Sequence, residues 1–398
     1  MFTINIVSLF LSISILQYEN INGFLHHHHP SLFPTVNMKG SKLLVSSSAT
    51  IAGEDKVPEL SEEEQQKQQW ELFTKYHALG EWRGKWTFYD YLGDVVDTTF
   101  GSVKLYPDEV EEDKIIHEHA ITQESVSSDC KTCADWSNVK VIPIGSYTPT
   151  TFFSTKNNLK NNRCLSVGMI TGPTILRSGT MSTEMIICNP IFNKEERIRI
   201  VFQHGPVWER GVEPGSCPPD GLKLIRIMTS FEKLASSSGE QQGSSTTPIP
   251  PYLWNDKSWS GTSHTWGPTT SNRLWLINEL EEIDAWHERP TGDNPNVWPL
   301  RLLGNHLIIQ SPRVITGDNI ELFRIAWLFP NKDDDNDDKN TDPASKKEWN
   351  LLRIEAGIRA LEMMENNEMN PDVVSFYPPR LASLRCDVLQ NILNDDDA

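Results

Sequence analysis

Two short runs carry the residue types that chemistry most often uses. His117-Glu118-His119 sets two imidazoles two residues apart, which in a strand puts both on one face. Two such histidines can bind a metal, but no third ligand is identifiable. A pair of ordinary strand-face histidines, one of them turned into a cavity, is the plainer reading. Cys130-Lys131-Thr132-Cys133 is the sole Cys-x-x-Cys. A structural zinc usually wants a second such pair, and Cys164, Cys188, Cys217 and Cys386 are scattered. The alternatives there are a redox or disulfide pair in a surface loop and two free thiols. The chain holds no Gly-x-Ser-x-Gly, His-Glu-x-x-His, phosphate loop or dinucleotide fingerprint. The sequence therefore assigns no catalytic residue, no metal site and no cofactor.

What remains is a set of side chains suited to a cavity. Trp86, Phe88, Phe100, Phe152 and Phe202 fall on predicted strands and fit either a cavity wall or a filled core. With His117, His119 and Arg226 they make up the candidate ligand-binding set. An acid/base pair, if there is one, would be sought among His117, Glu118, His119, Glu184 and Arg226.

The element that must position these residues is Trp82-Arg83-Gly84-Lys85-Trp86-Thr87-Phe88-Tyr89-Asp90. Trp82, Trp86 and Phe88 share one strand face, and Arg83, Lys85 and Thr87 the other. Gly84, between two tryptophans, lets another backbone come close. Ahead of it, Ser61 and Glu64 make a capping box, and Trp70, Phe73, Tyr76 and His77 make an apolar stripe, so a helix is expected over 60–79. Gly80 stops it. Beyond Gly80 the period becomes two. Strands are expected at 82–90, 96–105, 114–123, 149–154, 164–170, 181–188, 196–204 and 221–231. Leu92-Gly93-Asp94 turns the first hairpin. About eight short strands suit a closed antiparallel barrel, and a β-sandwich would give a similar count.

Residues 235–256 are Ser/Gln/Gly-rich, run through Pro248-Ile249-Pro250-Pro251, and read as a linker. Trp259-Ser260-Gly261-Thr262-Ser263 then echoes the opening Trp82-Arg83-Gly84-Lys85-Trp86, which suggests a duplicated domain. Strands are expected at 298–303, 305–311, 319–328 and 348–355, with 276–289 open between helix and strand. The acidic run Asp333–Asp338 lacks the glycine and glutamate of a calcium loop and reads as a solvated hairpin loop. The expected organisation is a barrel over 58–234, a linker over 235–256, a second barrel, complete or not, over 257–390, and an acidic tail over 391–398.

The N-terminus reads as an address. Phe2 to Leu16 is an uncharged apolar run of signal-peptide length, with a cut expected after Gly23. From Phe24 to Gly53 there is no Asp or Glu and much Ser. The whole leader, 24–57, resembles the second part of a bipartite plastid presequence; secretion is the alternative. No span of the membrane is expected once the leader is removed. At 398 residues the chain is long enough for two cores. Its net charge of −18 argues against nucleic acid or anionic membrane as a main partner.

The run Gly80–Asp90, with Leu322-Phe323-Arg324-Ile325-Ala326-Trp327-Leu328 and Leu351-Leu352-Arg353, resembles an uncharacterised family of cyanobacterial and plastid proteins with calycin (lipocalin-like) barrels. The resemblance implies a mainly β fold: an antiparallel lipocalin-like barrel behind a short N-terminal helix, here in tandem with a second. It implies a compartment but no reaction. Calycins also include bilin-attaching lyases and xanthophyll-cycle de-epoxidases, which are relatives by fold only. By the same resemblance, the lipocalin first-strand tryptophan would be Trp82 or Trp86. Its arginine partner from the last strand would be Arg226, stacked on the indole at the barrel floor in a structural role. Three functional readings stand. The protein is a binder of a small hydrophobic or tetrapyrrole-like molecule; or an enzyme of pigment metabolism, lyase-like or an isomerase; or a ligand-free interaction module.

Overall fold

The computed structural model describes residues 61–78, 80–122, 124–127, 130–134, 136, 139–153, 162–165, 167–176, 178–189, 193–207, 211, 221–235, 259–266, 278–283, 297–303, 306–316, 320–330, 349–359 and 379–391. The leader, the linker beyond residue 235, Cys217, the Asp333–Asp338 run and the acidic tail beyond residue 391 lie outside them. The protein is mainly antiparallel β with one short N-terminal helix. Among the described residues no helix is long and apolar enough to cross a membrane.

Helix α1 (Glu62–Leu72) starts at the expected capping box. Ser61 N donates to Glu64 Oε2 at 2.7 Å, and Glu64 N donates to Ser61 Oγ at 3.2 Å. It runs on as a π-helical turn, Phe73–Ala78. The buried line is Gln65, Gln69, Phe73 and His77, spaced by four throughout. An α-helix drifts off a four-residue line, and the wider π turn brings His77 back under Phe73.

The first sheet is built from β1 (Gly80–Asp90), β2 (Val95–Pro107), β3 (Ile115–Thr122), β6 (Lys140–Tyr147), β7 (Arg163–Cys164), β8 (Gly168–Ile175), β9 (Met181–Asn189), β10 (Asn193–Val207) and β11 (Gly221–Leu234). Their order is β6-β3-β2-β1-β11-β10-β9-β8-β7. The first strand thus lies beside the last, and the sheet curls on itself. The hairpin β4 (Glu124–Ser127)–β5 (Cys130–Ala134) stands apart and carries the Cys-x-x-Cys backbone.

The single strand expected over 164–170 is instead the end of β7 and the start of β8, which pair antiparallel. Two further local expectations fail for physical reasons. The strand expected over 149–154 is a short helix, α2 (Pro149–Phe152). Thr148 caps it by accepting from Thr151 N, with proline in the first turn, where its missing N–H costs nothing. Strand β6 was not expected, because it contains Pro143 and Gly145. It ends the sheet's path, and an edge is where a strand tolerates proline.

Helices α1 and α2 pack on each other between the ends of this path, α1 against β7 and α2 against β6. Gln69 does the joining at β7. Its side chain donates to Cys164 O at 3.0 Å and accepts from Cys164 N at 2.7 Å, as a neighbouring strand would.

The second sheet comprises β12 (Trp259–Trp266), β13 (Asn278–Ile283), β14 (Val297–Leu303), β15 (Leu307–Pro312), β17 (Ile320–Pro330), β18 (Trp349–Arg359) and β19 (Arg380–Asn391). Their order is β13-β12-β19-β18-β17-β15-β14, so again the first strand lies beside the last. The echo between Trp82-x-Gly84 and Trp259-x-Gly261 has matching geometry. Gly84 faces Glu232 on β11, and Gly261 faces Leu389 on β19. A Cβ on either glycine would run into a carbonyl of that last strand, Phe231 O or Val388 O.

Each face of the first sheet has its own core. The concave face buries Trp82, Trp86, Phe88, Val103, Leu105 and Met169 beneath Phe73, Phe152 and Phe153. On the other face, Ile198, Ile200, Phe202, Leu224 and Ile227 pack against Phe323, Ile325, Leu352, Ile354 and Leu384 of the second sheet. The short strand β16 (Val314–Ile315), from the second half of the chain, pairs with Leu222 and Lys223 of β11.

Candidate functional site

The concave face of the first sheet gathers the ionisable residues. Strand β10 reads Arg197-Ile198-Arg199-Ile200, and β11 alternates in register with it. The isoleucines face the second sheet, so both arginines turn into the concave interior. Arg197 Nε donates to Glu232 Oε2 at 2.6 Å, and both side chains are almost wholly buried. Its guanidinium stacks 4.4 Å from the Trp82 ring, and Nη1 donates to His77 O at 3.2 Å. Arg199 Nε donates to Glu184 Oε1 at 2.5 Å, and its guanidinium stands 5.4 Å from the Trp86 ring.

Beside these pairs, His117 and His119 share the face, as their spacing predicts. Their Nε2 atoms are 2.9 Å apart, so one ring donates and the other accepts. Tyr147 Oη lies 3.3 Å from His117 Nδ1, and Trp86 meets the His119 ring edge-on at 5.7 Å. Among the described residues, no group of three or more His, Cys, Asp and Glu is placed to hold a metal ion.

Burial sets the charges. It pushes His117 down to about 3, with Arg199 and Arg197 adding to the effect against Glu184. His119 is likewise held well below its ordinary value by burial, then by His117 and the arginines. Burial alone would raise Glu184, but Arg199 outweighs it and the carboxyl is lowered. Burial opposes the Arg199 charge, and Glu184 with Glu232 restores it above its ordinary value. Near neutral pH the Arg199–Glu184 ion pair therefore stands beside two neutral imidazoles. Glu184 keeps 24% of its side chain accessible, so the cluster reaches the edge of the solvent.

Trp86, Phe88, His117, His119 and Phe152 all lie on or against this face. Phe152 does so from α2, stacked on Phe73 at 4.2 Å. Phe100 and Phe202 do not. Trp86 sits over Gly101, which turns the adjacent Phe100 to the opposite face. Phe202 alternates with the inward arginines and packs on Phe323 at 5.2 Å, between the sheets. Glu118 faces away as well, toward Tyr106. Arg226 is not the partner of Trp82 or Trp86. It pairs in register with Asp90, at the far end of β1, and lies 6.0 Å from the Phe88 ring. The stacked arginines come from the penultimate strand β10. The sequence reading missed Arg197, Arg199, Glu232 and Tyr147. Their signal was the Arg-Ile-Arg-Ile alternation, which looks the same whether the charged face meets water or an interior.

No protein-family profile matches the chain, and no curated protein matches it. Among solved structures it is similar to a protein of unknown function from the DUF3598 family of Nostoc punctiforme PCC 73102. That protein is 13% identical, with a TM-score of 0.37, over 81% of this chain and 99% of the other. Like the family resembled by the sequence, this neighbour is cyanobacterial and uncharacterised. A likeness at this level describes neither a site nor a reaction.

Proposed function

We propose that this protein binds a small, largely hydrophobic or tetrapyrrole-like molecule on the concave face of its first sheet. The observation that carries the reading is a convergence. Trp86, Phe88 and Phe152 supply apolar surface, and Arg199, Glu184, His117, His119 and Tyr147 meet at one end of it. A mostly apolar wall with a few convergent polar groups is the usual composition of a small-molecule site. A sheet face needed for packing alone would more economically be filled with aliphatic side chains. On the pattern of its leader we also infer import into a plastid.

The test is to incubate residues 54–398 with a pigment and lipid extract, re-isolate the protein, and read absorbance and mass spectra. A retained chromophore or lipid that a Trp86→Ala change releases is the expected result. A protein recovered clean from pigments, lipids and free fatty acids would overturn the reading in favour of an interaction module. A fluorescent protein fused behind residues 1–57 tests the compartment; a secreted signal would overturn plastid import.

A further inference from the structure

One row across the first sheet holds three buried polar groups without partners. Trp86 on β1, Ser230 on β11 and Arg199 on β10 are register neighbours. Trp86 and Arg199 are each 6% exposed and Ser230 is fully buried. Trp86 Nε1, Ser230 Oγ and Arg199 Nη1 have no hydrogen-bond partner among the described residues. Indole and guanidinium N–H groups can only donate, and the serine hydroxyl can also donate. A buried donor left unmatched has lost its water without gaining a partner, which disfavours the arrangement. One row further along, Arg197 Nη2 is likewise unpartnered, beside the free Oε1 of Glu232. The row is thus mainly short of acceptors.

In the second sheet the arginine of the corresponding row has a carboxylate beside it, although Ser263 Oγ in that row has no partner among the described residues. Counting from the shared Trp-x-Gly, Ser263 on β12 corresponds to Trp86, Asp387 on β19 to Ser230, and Arg353 on β18 to Arg199. There Arg353 Nη2 lies 2.6 Å from Asp387 Oδ2, and Arg385 Nε lies 2.8 Å from Asp387 Oδ1. Asp387 is fully buried. The protein itself supplies a carboxylate at that position in its second half and a serine in its first.

We propose that the row Trp86–Ser230–Arg199 receives the carboxylate of the bound molecule. This rests on the binding reading above and names the head group of its ligand. Arg199 holds Glu184 through Nε and keeps Nη1 for a second carboxylate; a planar guanidinium can serve two. The apolar remainder of the ligand lies along Trp86 and Phe88. Fatty acids and propionate-bearing tetrapyrroles share this chemistry.

The test is binding of matched probes to the chain of residues 54–398, read by tryptophan fluorescence. The probes are hexadecanoic acid, its methyl ester, hexadecane and hexadecylamine, and a bilin with free propionates against its dimethyl ester. The acid of the preferred skeleton should bind about tenfold more tightly than its ester, and the alkane and amine no better than the ester. Whichever acid shows the preference identifies the source. Ser230→Asp supplies the carboxylate from within, as Asp387 does, and should abolish the preference for acid. Trp86→Phe removes one donor while keeping the ring, and should weaken the acid about fivefold and the ester little. Equal binding of acid and ester, or a folded Ser230→Asp protein that keeps the preference, overturns the carboxylate row and leaves the binding reading standing. Should Ser230→Asp fail to fold, unchanged acid affinity in Trp86→Phe overturns it instead. Failure of every probe to bind overturns both.

Discussion

The arginines of β10 show how little a residue's type says about its surroundings. Arg197 and Glu232 are each about 1% exposed, whereas Arg83 and Glu81 form a pair of similar length with roughly a third of each side chain accessible. Water screens the second pair and is absent from the first. Glu232→Gln should therefore cost ~3–5 kcal/mol, because it leaves a guanidinium buried over Trp82 without its counter-charge. Glu81→Gln should change stability by no more than ~1 kcal/mol. Urea unfolding of both variants is the check, and equal losses would mean that the Arg197 pair is not buried in solution. The Trp82–Arg197 stack therefore depends on a carboxylate that a tryptophan–arginine pattern would not reveal.

Among the elements, α1 does what a strand would otherwise do. The edge of β7 must satisfy its backbone N–H and C=O groups. Gln69 meets both groups of Cys164, and Gln66 donates to Phe153 O at 3.3 Å. A polar stripe on the buried side of a helix is thus the sealing device between the two ends of a curled sheet. Gln69→Leu keeps the volume and removes both bonds, so it should destabilise the fold by ~1–3 kcal/mol. It should also speed hydrogen exchange at the Cys164 amide far more than at Ile200 on a central strand. Uniform exchange at both sites would mean that the helix does not seal this edge.

Two predictions belong to the whole molecule. The first concerns acid. His77 Nε2 donates to Leu165 O at 2.9 Å, its Nδ1 faces Cys188 Sγ at 3.2 Å, and the residue lies near Arg197. His204 reaches Pro312 O at 3.1 Å and packs on Phe323. Both are fully buried, and burial pushes each down to about 4 from an ordinary value of 6.5. Above pH 6.5 both states hold the rings neutral and stability from this source is complete. Between 6.5 and 4 only the unfolded chain takes the protons. Stability should then fall by about 1.4 kcal/mol per pH unit for each histidine. Thermal melts from pH 8 to 4 should be flat above pH 7 and drop steeply below 6; a flat profile to pH 4 would contradict the burial of these rings. The second prediction concerns autonomy. Ile198, Ile200, Phe202 and Ile227 are covered by strands of the second half, and β16 extends the first sheet. A chain cut after residue 235 exposes that face and should aggregate rather than fold as a monomer. A soluble, cooperatively melting fragment would show that the first half can cover this face itself.

The sequence alone determined the features that depend on near neighbours. The Ser61–Glu64 cap, the turn at Gly93, the shared face of His117 and His119 and the strand periodicity of β1 and β10 follow from local geometry, which residue order dictates. Strand β19 was not legible, since Leu381, Leu384 and Val388 are spaced more like a helix than a strand. The tertiary structure decided which side of each strand is inside. Alternation fixes that Arg199 and Ile200 point oppositely, but not which of them meets water. In β10 neither does, because one face closes on α1 and the other on the second sheet. That choice is set by strands far apart in the chain. For that reason it moved Phe100 and Phe202 off the candidate site and brought Arg199, Glu184 and Tyr147 onto it.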